Sequence, residues 1–186
     1  MPPKVKTTKD DIINSAMSIV RQQGEQALNA RNIATMLNCS TQPIFSNFSS
    51  MEELKNAVLL KADKLYQEYI DKEITSNTYP PYKASGMAYI RFAKEEKELF
   101  KLLYMRNRTG QEDSANYTFG EQINSIVQKS TGLDGAKKEL FHLEMWAYVH
   151  GIATMFATGF LDLDWELISQ MLTDAYLGMR KQYGVE

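Results

Sequence analysis

The sequence has few of the residues that build disulfides, metal sites or catalytic sites. It contains one cysteine among 186 residues, which excludes an intrachain disulfide and fits a reducing compartment. Its two histidines, His142 and His150, have no Asp, Glu or Cys around them at metal-ligand spacing. No nucleophile–base pair at motif spacing and no glycine-rich phosphate loop is present. We therefore expect no metal, no cofactor and no enzymatic activity.

Long hydrophobic runs and strand patterns are also missing. The longest uncharged stretch, 145–161, is shorter than the roughly 20 residues that cross a bilayer, and acidic residues flank it. The N-terminus lacks the apolar segment of a signal peptide, so we expect a cytoplasmic protein with no membrane segment. Alternating strand patterns are absent and helical periodicity runs through most of the chain, which predicts an all-α fold.

The small negative charge is distributed unevenly. The whole chain carries −2, whereas residues 1–50 hold five Lys or Arg against three Asp or Glu, which leaves −4 on the remainder. A slightly basic end on an acidic body is compatible with a surface that faces DNA. Ordinary scatter of charge explains the same numbers equally well.

Three helices are predicted within residues 1–50. The first begins after Thr7 or Thr8 and ends at Gly24, because glycine readily takes a positive φ. The second follows Asn29, a good cap residue, and the third covers 41–47 with Ser40 as its cap. Two short helices joined by a short turn and braced by another helix form a helix-turn-helix.

The third helix has a polar outer face suited to DNA. Ile44 and Phe48 share its apolar side, and the other positions are polar or lie at the edges. A small polar helix face of this kind fits the major groove and reaches base edges. Many short helical hairpins bind no DNA, so the pattern alone also allows a purely structural role.

The remainder of the chain is predicted to form a larger helical domain, which we call the body. A long helix follows the predicted helix-turn-helix with only two serines between them, which favours a rigid connection. Breaks near 77–81, Gly110, 132–135 and 162–164 separate the later helices. The predicted body helices are 51–74, 83–94, 96–106, 114–131, 135–161 and 164–182.

The stretch 12–54 resembles the TetR family of transcriptional regulators. The resemblance covers about a quarter of the chain, and residue type, order and spacing agree together. The matching segments are Ile12–Ala16 with Gly24, Ala27-Leu28-Asn29-Ala30-Arg31-Asn32-Ile33-Ala34, Cys39-Ser40-Thr41-Gln42-Pro43-Ile44-Phe45-Ser46-Asn47-Phe48 and Glu52-Glu53-Leu54. The chain length and the run of about nine helices also resemble the family, whereas the remaining three-quarters matches only in helical pattern.

The resemblance implies a division of labour and a set of partners. Residues 1–50 are expected to be a helix-turn-helix DNA-binding domain, and residues 51–186 a ligand-binding and dimerisation domain. The expected function is that of a transcriptional regulator, most simply a repressor, which binds operator DNA as a homodimer and is released by a small-molecule effector. In this hypothesis the effector and the operator prefer different tilts of the helix at 51–74, so each weakens the other.

The resemblance also assigns roles to single residues in the predicted DNA-binding domain, residues 1–50, which we call the head. Thr41, Gln42 and Pro43 are expected to face bases, and Arg31 lies where some members read guanine, although a solvated or phosphate-bound arginine is equally compatible. Asn29 would cap its helix and present backbone N–H groups to a phosphate. Lys4, Lys6 and Lys9 form either an arm along the DNA backbone or a disordered tail. The expected DNA-binding residues are Lys4, Lys6, Asn29, Arg31, Ser40, Thr41, Gln42, Pro43, Phe45, Ser46, Asn47 and Lys55.

Three positions depart from the family pattern. Phe45 replaces the usual tyrosine, Asn47 stands where tyrosine or histidine is common, and Met51 replaces a phosphate-binding lysine. A lost hydrogen bond to a charged group weakens binding by about 1.5–3 kcal/mol, although Lys55, one turn later, can compensate. These departures keep open an alternative function, a helical interaction or adaptor protein with a degenerate DNA-binding head.

The body is rich in aromatic residues and contains a stripe of small ones. Effector pockets are mostly apolar, which predicts ligand contacts at Tyr66, Tyr89, Phe100, Tyr104, Phe119 and Trp146, with ordinary core packing as the alternative. The last two helices resemble those that pair in family dimers, and small side chains allow close helix approach. The expected dimer contacts are Ala147, Gly151, Thr154, Thr158 and Met171, unless this stripe packs within its own subunit. Cys39 is expected to fill space in the turn rather than to sense redox state.

Overall fold

The structure, a computed structural model, describes residues 7–106 and 121–185. Within those ranges it contains nine α-helices and one 3-10 turn and no strand, which confirms the all-α prediction. The helices are α1 (Lys9–Gln23), α2 (Ala30–Met36), α3 (Gln42–Asn47), α4 (Met51–Thr75), α5 (Pro81–Glu95), α6 (Lys97–Tyr104), α7 (Glu121–Thr131), α8 (Gly135–Thr158) and α9 (Trp165–Gln182).

The predicted boundaries of α1 are confirmed by its caps. The Thr8 hydroxyl accepts from the Asp11 backbone N–H at 3.1 Å, and the Asp11 carboxylate accepts from the Thr8 backbone N–H at 2.9 Å. These reciprocal bonds satisfy two N–H groups that the first helical turn leaves without partners. The helix ends at Gly24, whose φ of 78° and ψ of 173° form a combination that is accessible almost only to glycine.

Two predicted boundaries are wrong, and one element was not predicted. Thr41 rather than Ser40 occupies the N-cap position of α3, and no side chain caps this helix. Helix α8 ends at Thr158 instead of continuing to 161, because Gly159 adopts the left-handed conformation and stops the helix there. The unpredicted element is the 3-10 turn Glu25–Ala27 between α1 and α2.

The chain forms two compact units. The first comprises Met1–Leu65 and Glu96–Arg106, and the second comprises Tyr66–Glu95 and Asn107–Glu186. Helix α4 therefore belongs to both units, and Glu96 alone separates α5 in the second from α6 in the first. The predicted functional division at residue 50 stays a prediction, since compactness alone does not define which residues bind DNA or effector.

In the first unit, α1 packs against α2, α3 and α6. The apolar stripe of α1 is fully buried, and it meets buried side chains from each of the three neighbours. Arg21 holds α6 to α1 at the surface of this unit, because its guanidinium donates two hydrogen bonds of 2.8 Å to the Glu96 carboxylate. The core residues include Ile12, Ala16, Ile19, Val20, Ile33, Ile44, Phe48, Leu54, Leu99 and Phe100.

In the second unit, α5 is the central helix and packs mainly against α8. Helices α7 and α9 complete this unit around an aromatic cluster in which Tyr82 and Phe141 are the buried rings. The rings of Tyr176 and Tyr183 meet Phe141 edge to face at centroid distances of 6.0 and 5.4 Å. Such edge-to-face pairs are more favourable than area burial alone predicts, so they fix the relative placement of α5, α8 and α9.

Candidate functional site

The second helix of the predicted helix-turn-helix begins as the sequence indicates. The Asn29 side-chain carbonyl accepts from the Asn32 backbone N–H at 3.0 Å, which confirms the predicted cap of α2. The amide groups of Asn29 and Asn32 both donate to the Ala27 carbonyl, at 3.2 and 2.7 Å. Both asparagine side chains are thus used to fix the entry into α2.

The turn between α2 and α3 depends on an asparagine. Asn38 has a φ of 51°, a left-handed conformation that asparagine tolerates better than most residues. The chain reverses there, and Cys39 donates its backbone N–H to the Ala34 carbonyl at 2.9 Å. The two short helices are consequently joined by a tight, internally bonded turn, with Cys39 half-buried within it.

Helix α3 buries one side and exposes the other, in agreement with the predicted pattern. Ile44 and Phe48 are buried, whereas Gln42, Phe45 and Ser46 are exposed. The Ser46 hydroxyl turns back to donate to the Gln42 carbonyl at 2.9 Å, as observed for serine within many helices. The Asn47 amide donates to the Pro43 carbonyl at 2.8 Å. The outer side chains are therefore not equally available to a partner.

The cations predicted to meet DNA are in different situations. Lys55 pairs with Glu25 at 2.5 Å, and Lys9 pairs with Glu53 at 3.4 Å while its ammonium lies over the Phe48 ring. Arg31 is exposed and makes no ion pair within the described part of the chain. Lys4 and Lys6 lie outside the described residues. Of the predicted cations that the structure describes, Arg31 is the one best able to approach a phosphate or a base without first losing a carboxylate.

Part of the predicted effector set comes together in the second unit. Tyr66 meets Tyr89 edge to face at 5.7 Å between ring centroids, and the Tyr89 hydroxyl lies 2.9 Å from Nδ1 of His150. Trp146 stacks on the His150 ring at 4.7 Å. Sequence reasoning left His150 out of this set, although its position four residues after Trp146 puts both on one face of α8. We call Tyr66, Tyr89, Trp146 and His150 the aromatic array.

Other members of the predicted effector set lie elsewhere. Phe100 and Tyr104 pair with each other at 5.2 Å on α6, in the first unit, and Phe119 lies outside the described residues. Next to the aromatic array, the Phe92 ring contacts Tyr66 at 5.4 Å. Burial of His150 lowers its pKa, so the ring favours the neutral form in which one nitrogen donates and the other accepts. The array therefore offers ring faces together with neutral hydrogen-bonding groups.

The predicted dimer residues occupy α8 and α9 of the second unit. Ala147 and Thr158 are exposed, and a side chain built at Gly151 would meet open space. Thr154 and Met171 are half-buried. Four leucines on these two helices, Leu140, Leu143, Leu167 and Leu177, have exposed fractions of 50%, 39%, 41% and 54%. Sequence reasoning missed three of them, Leu140, Leu143 and Leu177, although the α8 pair lies at helical spacing before Ala147.

Family and structural comparisons identify the chain. Residues 82–176, slightly more than half of the sequence, match the family model described as the C-terminal domain of tetracycline-repressor-like proteins. The chain belongs to the TetR family. A comparison with curated proteins finds no match by sequence. The resemblance inferred from residues 12–54 is thus confirmed through a different part of the chain.

Several solved structures are similar to the chain over nearly its whole length. A TetR-like transcriptional regulator from Rhodococcus sp. RHA1 is 15% identical, with a TM-score of 0.67 and coverage of 95% of this chain and 96% of that one. A protein of unknown function from the same organism is 19% identical, with a TM-score of 0.71 and coverage of 100% and 98%. The multidrug binding protein EbrR, complexed with imidazole, is 16% identical, with a TM-score of 0.63 and coverage of 90% and 88%. At these identities the similarity establishes the shared fold.

Two further kinds of site are absent from residues 7–106 and 121–185. No group of three or more His, Cys, Asp or Glu side chains lies in an arrangement able to hold a metal ion in these ranges. No helix there combines the length and the apolar character that a bilayer crossing requires.

The buried His142 makes the stability of the protein dependent on pH. The Tyr82 hydroxyl lies 2.9 Å from Nδ1 of His142, and burial lowers the pKa of this histidine to about 4. The unfolded chain therefore binds one more proton than the folded chain between pH 6.5 and about 4. Stability is fully present above pH 6.5 and is lost as the pH falls through this window.

We expect this histidine to remove about 3 kcal/mol from the free energy of unfolding between pH 7 and pH 4. Urea unfolding at fixed protein concentration measures the total pH dependence, and His142→Gln should flatten it in that window. An NMR titration checks the assignment, because the variant retains one histidine resonance. A titration midpoint for His142 near 6.5 in the folded protein would contradict the prediction.

Proposed function

We propose that this chain is a transcriptional regulator that binds operator DNA through α2 and α3 as a homodimer. The carrying observation is the helix-turn-helix of a TetR-family chain, in which α3 buries Ile44 and Phe48 and exposes the opposite face. The exposed face of a short, firmly packed helix is suited to the major groove. The proposed function is binding rather than catalysis, and repression is the simplest outcome of occupying an operator.

Within this proposal the head residues have graded roles. Gln42, which is exposed, would approach base edges, with Thr41 and Pro43 beside it. Arg31 is suited either to guanine or to a phosphate, and Asn29 serves mainly to fix α2. The engagement of Lys55 with Glu25 reduces the phosphate contact expected from it. The adaptor alternative therefore retains one specific observation in its favour, namely the paired or missing cations around α3.

A titration of the purified protein against the DNA that flanks its own gene tests this proposal. The measurement uses that duplex beside a scrambled duplex of equal composition, each at two salt concentrations. We expect sequence-selective binding by two subunits per site, weakened steeply by salt because phosphate contacts release counterions. Gln42→Ala should reduce the selectivity without changing the salt dependence. Lack of selectivity at both salt concentrations would favour the adaptor function instead.

A homodimer is proposed on the exposed face of α8 and α9. Four exposed leucines share these helices with Ala147 and Gly151, whose small size permits close packing of a second copy. A contiguous exposed apolar patch is uncommon on a monomer unless it marks an interaction site. Two heads are also required by the operator, because a six-residue recognition helix contacts few base pairs.

We expect Leu143→Glu to convert the dimer into monomers, because it would bury a charge at the centre of the contact. Sedimentation equilibrium measures the molecular mass directly. Leu60→Glu is the matched control, since Leu60 is 74% exposed on α4 and lies outside the proposed interface. The interface would be wrongly placed if Leu143→Glu and Leu60→Glu gave the same mass as the unmodified protein.

The aromatic array is the proposed effector site. Its ring faces and neutral polar groups match the composition of small-molecule sites, and the similar protein EbrR is a multidrug binding protein. Helix α4 contributes Tyr66 to the array and also begins beside the head, so a ligand-dependent tilt of α4 would reach α3. Phe100 and Tyr104 belong to the first unit and are not part of this proposed site.

Binding at the array should change the fluorescence of Trp146 and weaken operator binding. Thermodynamic linkage requires the operator to weaken effector binding by the same factor. A screen of aromatic compounds by tryptophan fluorescence, followed by operator titration with each compound that binds, measures both sides of this coupling. A compound that bound beside Trp146 with the same affinity in the free protein and in the operator complex would contradict the proposed coupling between effector and operator.

A further inference from the structure

Two side chains on the outer face of α3 are available to a partner. Gln42 is exposed, and its side-chain amide makes no hydrogen bond within the described residues. Phe45 is 52% exposed. Their neighbour Ser46 donates its hydroxyl hydrogen, and Asn47 one of its two amide hydrogens, to the backbone of α3 itself. Gln42 and Phe45 are therefore the side chains of this face that are least engaged within the helix.

Gln42 and Phe45 lie three residues apart on the helix, so their side chains share one face. The Cβ atoms of such a pair are about 5–6 Å apart. Successive bases along a DNA strand are separated by about 3.4 Å. The two side chains can therefore contact the same base pair or pairs separated by one or two steps.

The chemistry of these groups distinguishes among bases. A glutamine amide has a donor and an acceptor side by side, which matches N7 and N6 of adenine. Guanine presents two acceptors in the major groove and is best read by arginine or lysine, and residues 41–48 contain neither. A phenyl ring has no hydrogen-bonding group, and its complement in the major groove is the C5-methyl group of thymine.

We propose that α3 reads A·T base pairs, with Gln42 bonded to an adenine and Phe45 packed against the methyl group of a thymine. This inference rests on the proposed function, because it assigns the sequence preference of the same DNA-binding surface. Phe45 is then a specificity-determining residue, because its ring contacts the thymine methyl group where the usual tyrosine would make a polar contact. A single exposed aromatic is common on protein surfaces, so the argument depends on its place beside Gln42 on the outer face of α3.

The experiment begins with selection of operator DNA by the full-length protein. A pool of duplexes with randomised centres is bound, washed at moderate salt and sequenced. We expect a palindromic site with A·T pairs at the centre of each half-site. Each conserved thymine of one half-site is then replaced by deoxyuridine, which removes the methyl group and retains base pairing.

We expect one deoxyuridine substitution to weaken binding about fourfold, the loss that corresponds to one buried methyl group. Phe45→Ala should bind the thymine and deoxyuridine duplexes equally, whereas Phe45→Tyr, which keeps the ring, should retain the difference. Replacement of the adenine by 7-deazaadenine should weaken DNA binding by the unmodified protein and leave DNA binding by the Gln42→Ala variant unchanged. Phe160→Ala, which removes a 76% exposed ring from the second unit, is the control for loss of an exposed aromatic.

Several outcomes would overturn the inference, and they separate it from the proposed function. Failure to select any sequence would reject DNA binding by this chain, and the A·T inference with it. Selective binding that is indifferent to deoxyuridine at every thymine would reject the role of Phe45 and leave the regulator function intact. A deoxyuridine effect that persists in Phe45→Ala would assign the methyl contact to another residue.

Discussion

The burial of Ile44 and Phe48 is the constraint on which the proposed DNA-facing surface depends. Helix α3 has six residues and no side-chain cap, and isolated helices shorter than about 12 residues are marginal in water. Its conformation is therefore maintained by packing in the first unit, where both side chains are almost completely buried. The opposite face does not contribute to this burial, so its residues can be selected for recognition.

The sequence predicted elements whose signals are local. Thr8, Asn29 and Gly24 mark helix ends through hydrogen bonds or dihedral angles within a few residues, and the apolar spacing of α1 and α3 depends on the same short range. The boundary errors at Ser40 and Gly159 arose where several residues could end or begin a helix and local preferences are nearly equal. Departures from the family pattern, such as Phe45, were visible directly in the sequence, because they concern the identity of a residue and not its position in space.

Long-range placement was much less accessible. Tyr66, Tyr89 and Trp146 are far apart in sequence and lie together through His150, which the sequence did not indicate as a member of this set. Phe100 has the same composition signal as these residues but belongs to the first unit, because the chain returns there after α5. No local pattern encodes that return. Exposure is equally non-local, and for this reason Leu140, Leu143 and Leu177 became evident only when their surroundings were known.

The positions of the two tryptophans have a spectroscopic consequence. Trp146 stacks on His150, and Trp165 lies parallel to Phe156 with the Arg91 guanidinium 4.5 Å above its ring. Both belong to the second unit, and the first unit contains no tryptophan. The tryptophan emission of the protein therefore reports on the second unit alone. A change in emission when DNA is added would have to originate in the second unit, which makes the natural chromophores an unlabelled reporter of communication between the two ends of α4.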